Sequence, residues 1–138
     1  MSWYNGNRSE WKEIIETVAG ETGRSVEMVE KDTIQSVFLF QLSKEDLPFV
    51  FKGGTSLSKV YSLIERFSED IDLSMSRKLT ESERKRASRA IQSIAECVGL
   101  VLLNPDDIFS RYSYNKYVFA CDSLFKGSPM EIIVENNF

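Results

Sequence analysis

The segment Phe49–Met75 constrains the fold more than any other part of this chain. The apolar run "PFVF" has the length of a short strand and is stopped by Gly53 and Gly54. The apolar residues that follow recur at helical spacing, which predicts an amphipathic helix from about Ser56 to Arg66. The segment closes on "DIDLSM", whose alternation of polar and apolar residues is typical of a strand. A strand, a Gly-Gly turn, a helix and a second strand are therefore predicted in that order.

Two helices are predicted before this segment. The first carries apolar residues at helical spacing from Trp11 onward, after a candidate cap at Ser9, and its pattern is broken by Gly20 and Gly23. The second continues the helical period from Ser25 to about Ser43, where the polar sequence "SKEDLP" turns the chain.

One helix and three strands are predicted after the segment. Thr80 and Glu83 have the spacing of a capping box, and Gly99 marks the end of the helix that they begin. The runs "LVLL", "YSYNKYVFAC" and "MEIIVE" predict strands, separated by the turn sequences "NPDD" and "KGSP". The last two strands are predicted to form a hairpin.

Composition fits one compact domain and excludes several classes of site. The chain has 138 residues, of which 42% are hydrophobic, and it contains no histidine, which rules out His-ligated zinc and Ser-His or Cys-His catalytic pairs. Cys97 and Cys121 lack the spacing of metal ligands and are predicted to be core thiols. The net charge of -4 does not favour bulk duplex binding. No apolar leader or membrane span is visible, so we expect a soluble cytoplasmic protein without membrane contact.

The Gly-Gly turn has two interpretations. Glycines between a buried strand and a helix allow backbone N–H groups to approach an anion at the positive end of the helix dipole, which suits a phosphate. Thr55 and Ser56 add hydroxyl donors, and Lys59 could place an ammonium group near the same anion. The alternative is a tight turn in which a hydroxyl caps the helix.

The two aspartates of "DIDLSM" also have two interpretations. Asp70 and Asp72 share one face of the predicted strand, so their carboxylates can converge on one site. Paired carboxylates suit Mg²⁺, which prefers oxygen ligands and keeps waters for substrate phosphates. The alternative is a solvated edge strand with an acidic face. A phosphate-binding turn close upstream of the pair favours a nucleotide site.

The stretch "GGTSLSKVYSLIERFSEDIDLSM" resembles the signature of the AbiEii-type nucleotidyltransferase toxins. These toxins belong to bacterial abortive-infection and toxin-antitoxin systems and to the DNA polymerase beta-like nucleotidyltransferase superfamily. The resemblance implies an α+β (α/β) nucleotidyltransferase fold: a small mixed sheet with packed helices, forming a single domain over residues 1–138. The Gly-Gly turn and the two aspartates would lie on neighbouring strands.

The resemblance also implies roles for individual residues. In that family the Gly-Gly turn holds the nucleoside triphosphate, and the paired aspartates bind two divalent metal ions, Mg²⁺ or Mn²⁺. The nucleotide-binding roles would fall on Gly53, Gly54, Thr55, Ser56 and Lys59. The catalytic metal ligands would be Asp70 and Asp72, with a third carboxylate from a later strand. Glu135 is the expected third carboxylate, and Glu131, on the same predicted strand face, is the alternative.

The implied activity is transfer of a nucleoside monophosphate from an NTP to an acceptor, with pyrophosphate leaving. The acceptor would be RNA, such as tRNA, or a protein; the chain would act as a toxin in phage defence, with a cognate antitoxin as partner. The 138 residues contain no counterpart of the family's carboxyl-terminal helical part, so the resemblance implies an amino-terminal catalytic core. The alternative is a truncated or degenerate member that binds nucleotide or a protein partner without catalysis.

Overall fold

The computed structural model describes residues 7–52, 70–105, 109–111 and 114–137. Its helices are α1 (Arg8–Thr22), α2 (Val26–Ser43) and α3 (Glu81–Val98). Its strands are β1 (Phe49–Lys52), β2 (Asp70–Met75), β3 (Val101–Leu102), β4 (Phe109–Arg111), β5 (Tyr114–Asp122) and β6 (Pro129–Asn137). The predicted Gly-Gly turn and the predicted helix Ser56–Arg66 lie outside the described residues.

The first two helices begin and end at residues suited to helix ends, but the predicted start of α1 needs a correction. The α1 helix begins after Asn7, not at the expected cap Ser9, and the Asn7 side chain makes no capping hydrogen bond. Gly23 ends α1 in the left-handed conformation, at a φ of 73°, which costs a glycine little. The α2 helix begins as predicted, because the Ser25 hydroxyl accepts a hydrogen bond from the Met28 N–H at 3.2 Å.

The α3 helix begins with the predicted capping box. The Glu83 N–H donates to the Thr80 hydroxyl at 3.2 Å, and the Thr80 N–H donates to the Glu83 carboxylate at 3.0 Å. Arg77 pairs with the same carboxylate at 2.6 Å. The hydrogen bond from Arg77, followed by that from the Thr80 backbone, lowers the pKa of Glu83 to about 2. Gly99 ends the helix at a φ of 97°.

The strands form one mixed sheet in the order β1-β2-β6-β5-β3, with β4 also pairing with β5. The β2–β6 pair is parallel, and the other pairs are antiparallel. β5 and β6 form the predicted hairpin. β6, the last strand among the described residues, lies between β2 and β5 in the sheet.

One face of the sheet is buried against the helices. Its strand residues are apolar at alternate positions and almost fully buried: Ile71, Leu73, Tyr117, Phe119, Ile132 and Val134. They form one core with residues of all three helices, including Ile15, Phe38 and Ile91. We call this face the covered face. Because side chains alternate along a strand, Asp70, Asp72 and Glu135 belong to the opposite face, which we call the carboxylate face.

The strand that pairs with the outer edge of β5 is interrupted. β3 pairs with Phe119 and Ala120, and β4 pairs further along with the segment 114–116. The side chain of Asn104 bridges this interruption: its Nδ2 donates to the Lys116 carbonyl at 3.1 Å, and its Oδ1 accepts from the Val118 N–H at 2.9 Å. An amide side chain thus replaces the missing ladder bonds.

A buried carboxylate ties α2 to the turn between β5 and β6. Glu30 is fully buried. Its Oε1 accepts from the Ser123 hydroxyl at 2.5 Å, and its Oε2 accepts from the Leu124 N–H at 2.6 Å. The Ser123 Oγ in turn accepts from the N–H groups of Phe125 and Lys126, each at 3.1 Å. We call this arrangement the Glu30 clamp.

The two cysteines differ from the prediction in one respect. Cys121 is buried in the core as expected, and burial raises the pKa of its thiol to about 12. Cys97 is exposed, so the expectation that it is a core thiol is wrong. Cys97 lies near the end of α3, on the side of the helix turned away from the sheet, whereas the neighbouring Ala95 and Val98 are buried.

In the described parts of the chain, none of the helices is both long and apolar enough for a membrane span.

Candidate functional site

The strand register aligns charged residues from four strands in one row. In the parallel β2–β6 pair, Asp72 is the Cα partner of Glu135. In the antiparallel β5–β6 pair, Glu135 is the partner of Lys116. On the other side, the backbone of Lys52 pairs with that of Asp72. Residues directly opposite each other on neighbouring strands share a face, so the Asp72 and Glu135 side chains are neighbours although 63 positions separate them in sequence.

The aspartates occupy the positions expected from the alternation of "DIDLSM". Ile71 and Leu73 are fully buried on the covered face, while Asp70 and Asp72 are half-buried on the carboxylate face. The Oδ1 atom of Asp72 is itself shielded from solvent and has no hydrogen-bond partner among the described residues. A shielded carboxylate oxygen without a donor is costly, so this atom is suited to a cationic ligand.

The register separates the two candidates for the third carboxylate. Glu135 is half-buried and directly opposite Asp72. Glu131 is exposed and lies four residues earlier on β6, about 13 Å away at the usual rise of a strand. Its partner on β5 is Ala120, at the opposite end of the hairpin from Tyr114. Glu135 is therefore the glutamate that the fold brings to the aspartates.

Tyr114 joins the carboxylates from β5. Burial raises the pKa of its phenol, with further contributions from a hydrogen bond to Glu135 and from the charges of Glu135, Asp72 and Asp70. The phenol therefore stays protonated at neutral pH, on the same face of the sheet as Glu135 and diagonal to it across the hairpin. The sequence alone identified Tyr114 only as part of the predicted strand "YSYNKYVFAC".

Lys116 is the second β5 residue at the site that sequence reasoning missed. It is half-buried, directly opposite Glu135, and forms no ion pair with any residue in the described part of the chain. Its backbone is held by the Asn104 bridge. Both residues lie in "YNKYVF", and once the register of the hairpin is known, Lys116 falls opposite Glu135 and Tyr114 falls two residues away on the same face.

The carboxylate face has the donor chemistry of a divalent cation site but not a closed ligand cluster. Among the described residues, no three acidic or cysteine side chains are already grouped around a point where an ion would fit. What fits a hard cation is the set of oxygen donors: two aspartates on one strand face, a glutamate opposite, and one shielded, unpartnered oxygen on Asp72. Side-chain rotation would be needed to complete the coordination.

The predicted nucleotide-binding residues follow β1 in the sequence. Gly53, Gly54, Thr55, Ser56 and Lys59 all lie outside the described residues. The strand that leads into them, β1, is the antiparallel neighbour of β2, so the strands on either side of the turn are adjacent as expected.

Two crystal structures of Helicobacter pylori proteins share this architecture. JHP933 superposes with a TM-score of 0.60 at 21% sequence identity, covering 83% of this chain and 45% of that chain. A candidate nucleotidyltransferase from the same organism gives a TM-score of 0.58 at 22% identity, covering 82% of this chain and 46% of that chain. This chain thus has the mixed α+β fold of nucleotidyltransferases, and it spans slightly less than half the length of these two proteins.

The family assignment is more specific than the fold. A family model described as "Nucleotidyl transferase AbiEii toxin, Type IV TA system" matches residues 37–135. This match spans most of the sequence, so the chain belongs to the AbiEii nucleotidyltransferase toxin family. No curated protein matches the chain. The resemblance and the fold class inferred from the sequence are therefore confirmed.

Proposed function

We propose that this chain is the core domain of a metal-dependent nucleotidyltransferase that acts as the toxin of a toxin-antitoxin system. It would transfer a nucleoside monophosphate from an NTP to an RNA acceptor, such as tRNA, or to a protein. The single observation that carries the proposal is the register of β2 and β6, which sets Asp72 with its unpartnered oxygen directly opposite Glu135. Membership of the AbiEii family supports the reaction class and implies an antitoxin partner.

The carboxylates would hold the metal ions. Asp70, Asp72 and Glu135 supply oxygen donors of the kind that Mg²⁺ and Mn²⁺ prefer. Two bound divalent ions would activate the attacking oxygen and neutralise charge on the leaving pyrophosphate. The residues of this chain contribute the geometry: strands β2 and β6 fix the backbone of the donors, and the buried Ile71 and Leu73 lock β2 onto the core.

The nucleotide would be held between the Gly-Gly turn and the carboxylates. Backbone N–H groups and hydroxyls of the turn would bind the triphosphate, and Lys59 would add a positive charge. This role would fall to Gly53, Gly54, Thr55 and Ser56. Holding the triphosphate in line with the acceptor would remove much of the entropic barrier to transfer.

A second candidate is a member that binds nucleotide or a partner without catalysis. Among the described residues, the carboxylates are not grouped as a finished metal site. In that case nucleotide would bind without turnover, and the carboxylates would be dispensable for binding.

Calorimetric titration of the chain with each NTP, with and without Mg²⁺, separates these functions. We expect nucleotide binding to require Mg²⁺ and to weaken at least about tenfold in Asp72→Asn and Glu135→Gln, because each variant removes a charged oxygen ligand. Glu131→Gln is the matched control: it alters the same residue type on the same strand but away from Asp72, and binding should remain unchanged.

A turnover assay completes the test. Pyrophosphate release with an RNA or protein acceptor, lost in Asp72→Asn, would support the enzyme. Metal-independent nucleotide binding that Asp72→Asn leaves intact would reject the proposed function in favour of the non-catalytic member.

A further inference from the structure

Positive charge is concentrated around the start of α3. Residues 77–89 contain six of the 17 lysines and arginines of the chain and only two glutamates, although the whole chain has a net charge of -4. Lys85, Arg86 and Arg89 are exposed. Arg86 donates to the backbone carbonyl of Asp46 at 2.7 Å, and none of the three cations forms an ion pair with a described residue. Their charges are therefore not neutralised by neighbouring carboxylates.

The spacing of these cations does not stabilise the helix. Lys85 and Arg89 are four residues apart, and Arg86 and Arg89 are three apart, so like charges are neighbours on the helix surface, which is unfavourable. The helix dipole favours cations in the last turn, and the last turn of α3 has none. An anion lying against this part of α3 would relieve the repulsion.

The carboxyl end of α2 adds an exposed aromatic ring beside these charges. α2 packs against α3, and the hydrogen bond from Arg86 to the Asp46 carbonyl joins the segment that follows α2 to α3. Phe40 is 58% exposed, although a phenylalanine side chain is ordinarily buried. The Lys44 Nζ lies 4.4 Å from the centroid of the Phe40 ring, so a further cation accompanies the ring.

We propose that Phe40, Lys44, Lys85, Arg86 and Arg89 form a surface that binds single-stranded RNA, and we call it the helix-layer surface. Lysine and arginine neutralise backbone phosphates, and an exposed aromatic ring stacks on an unpaired base. An acidic protein would match the charges but would not account for the exposed ring. The choice of RNA rests on the proposed function, in which RNA is an acceptor.

The helix-layer surface is separate from the carboxylates. Buried residues of α2 and α3 pack on the covered face of the sheet, so the exposed Phe40 and Arg89 lie on the far side of these helices from the sheet. Asp72 and Glu135 belong to the opposite face of the sheet. RNA binding at the helix-layer surface would therefore need neither a metal ion nor an NTP.

The test is fluorescence anisotropy of a short labelled single-stranded RNA of mixed sequence, titrated with the purified chain in EDTA and without NTP. Binding through four cations predicts a slope of about -3 for the logarithm of affinity against the logarithm of salt concentration. Lys85→Ala/Arg89→Ala should weaken binding by about tenfold or more at low salt and roughly halve that slope. Phe40→Ala should weaken binding by about fivefold or more without changing the slope.

Lys12→Ala/Lys126→Ala is the matched control. It removes two exposed lysines from α1 and from the hairpin turn, so the net charge changes equally while the helix-layer surface is intact. Affinity and slope should stay at their wild-type values. Circular dichroism and urea unfolding of each variant establish that the folded state is unchanged.

Several outcomes would overturn the inference. Equal losses in Lys85→Ala/Arg89→Ala and in the control would show that only total charge matters, and a wild-type chain that binds no RNA would reject the surface outright. Duplex RNA or a poly-glutamate peptide bound as tightly as the single strand, or a DNA strand bound more tightly, would assign the surface to a different partner. The proposed function would still stand in each case, because it is tested by metal-dependent NTP binding at the carboxylates.

Discussion

Replacing Glu30 with Gln probes how strongly the Glu30 clamp holds the turn between β5 and β6. Both carboxylate oxygens accept hydrogen bonds, from the Ser123 hydroxyl and the Leu124 N–H. The Glu30 side chain thus serves as an acceptor at both of its oxygens. Glutamine has nearly the same shape but offers only one oxygen, so its NH₂ group must face one of the two donors.

The expected cost follows from these contacts. A hydrogen bond to a charged group contributes about 1.5–3 kcal/mol, and a buried donor left without a partner costs about 1–3 kcal/mol. Glutamine keeps one neutral bond and avoids burying a charge, which offsets part of the loss. We therefore expect Glu30→Gln to lower the free energy of unfolding by about 2–3 kcal/mol. The exposed Glu16→Gln should stay within about 0.5 kcal/mol of the wild type.

Urea unfolding followed by circular dichroism measures these differences, provided that the slope of the transition is the same in all variants. A double-mutant cycle of Glu30→Gln with Ser123→Ala isolates the pairwise contribution. We expect a coupling of about 1–2 kcal/mol for this charged hydrogen bond. A Glu30→Gln variant as stable as Glu16→Gln, or a coupling near zero, would refute the clamp as a stabilising element.

Three further predictions concern single side chains. Of the two thiols, Cys97 should react with a thiol reagent in the native protein and Cys121 only after unfolding, because burial raises its pKa to about 12; two rapidly reacting thiols would contradict this. The pKa of Glu83 is lowered from 4.5 to about 2 by its arginine partner and the helix cap, so its contribution to stability is complete above pH 4.5 and is lost as the pH falls toward 2. Urea midpoints across this range should therefore fall less in Glu83→Gln than in the wild type. Finally, Lys116→Met should raise the KM for NTP by about tenfold through loss of a cation beside the carboxylates, whereas Lys126→Met in the hairpin turn should not; equal KM values would exclude this role.

The local chemistry of the chain was predictable where it depends on neighbours in sequence. The capping box at Thr80 and Glu83, the cap at Ser25 and the alternation of "DIDLSM" all act over a few residues, and the structure agrees with each. The start of α1 was misplaced by a short distance, because Asn7 and Ser9 are both acceptable cap residues.

Features that depend on distant partners were harder to predict. β4 was not predicted as a strand, because it continues the edge of the sheet only after an interruption that the Asn104 side chain bridges. The exposure of Cys97 depends on which side of α3 meets the sheet. The proximity of Tyr114 to Glu135 depends on the hairpin register, which turn residues alone did not determine.

The position of β6 has a consequence for how the protein is made. Asp72 and Glu135 become neighbours only when β6 enters between β2 and β5. Contacts between residues so far apart in sequence form slowly during folding, because a long loop must close first. During synthesis, the chain up to the end of β5 already contains both aspartates but lacks their partner glutamate. If the three carboxylates act as proposed, a ribosome-bound chain would lack one of them until its last described strand has been translated and inserted.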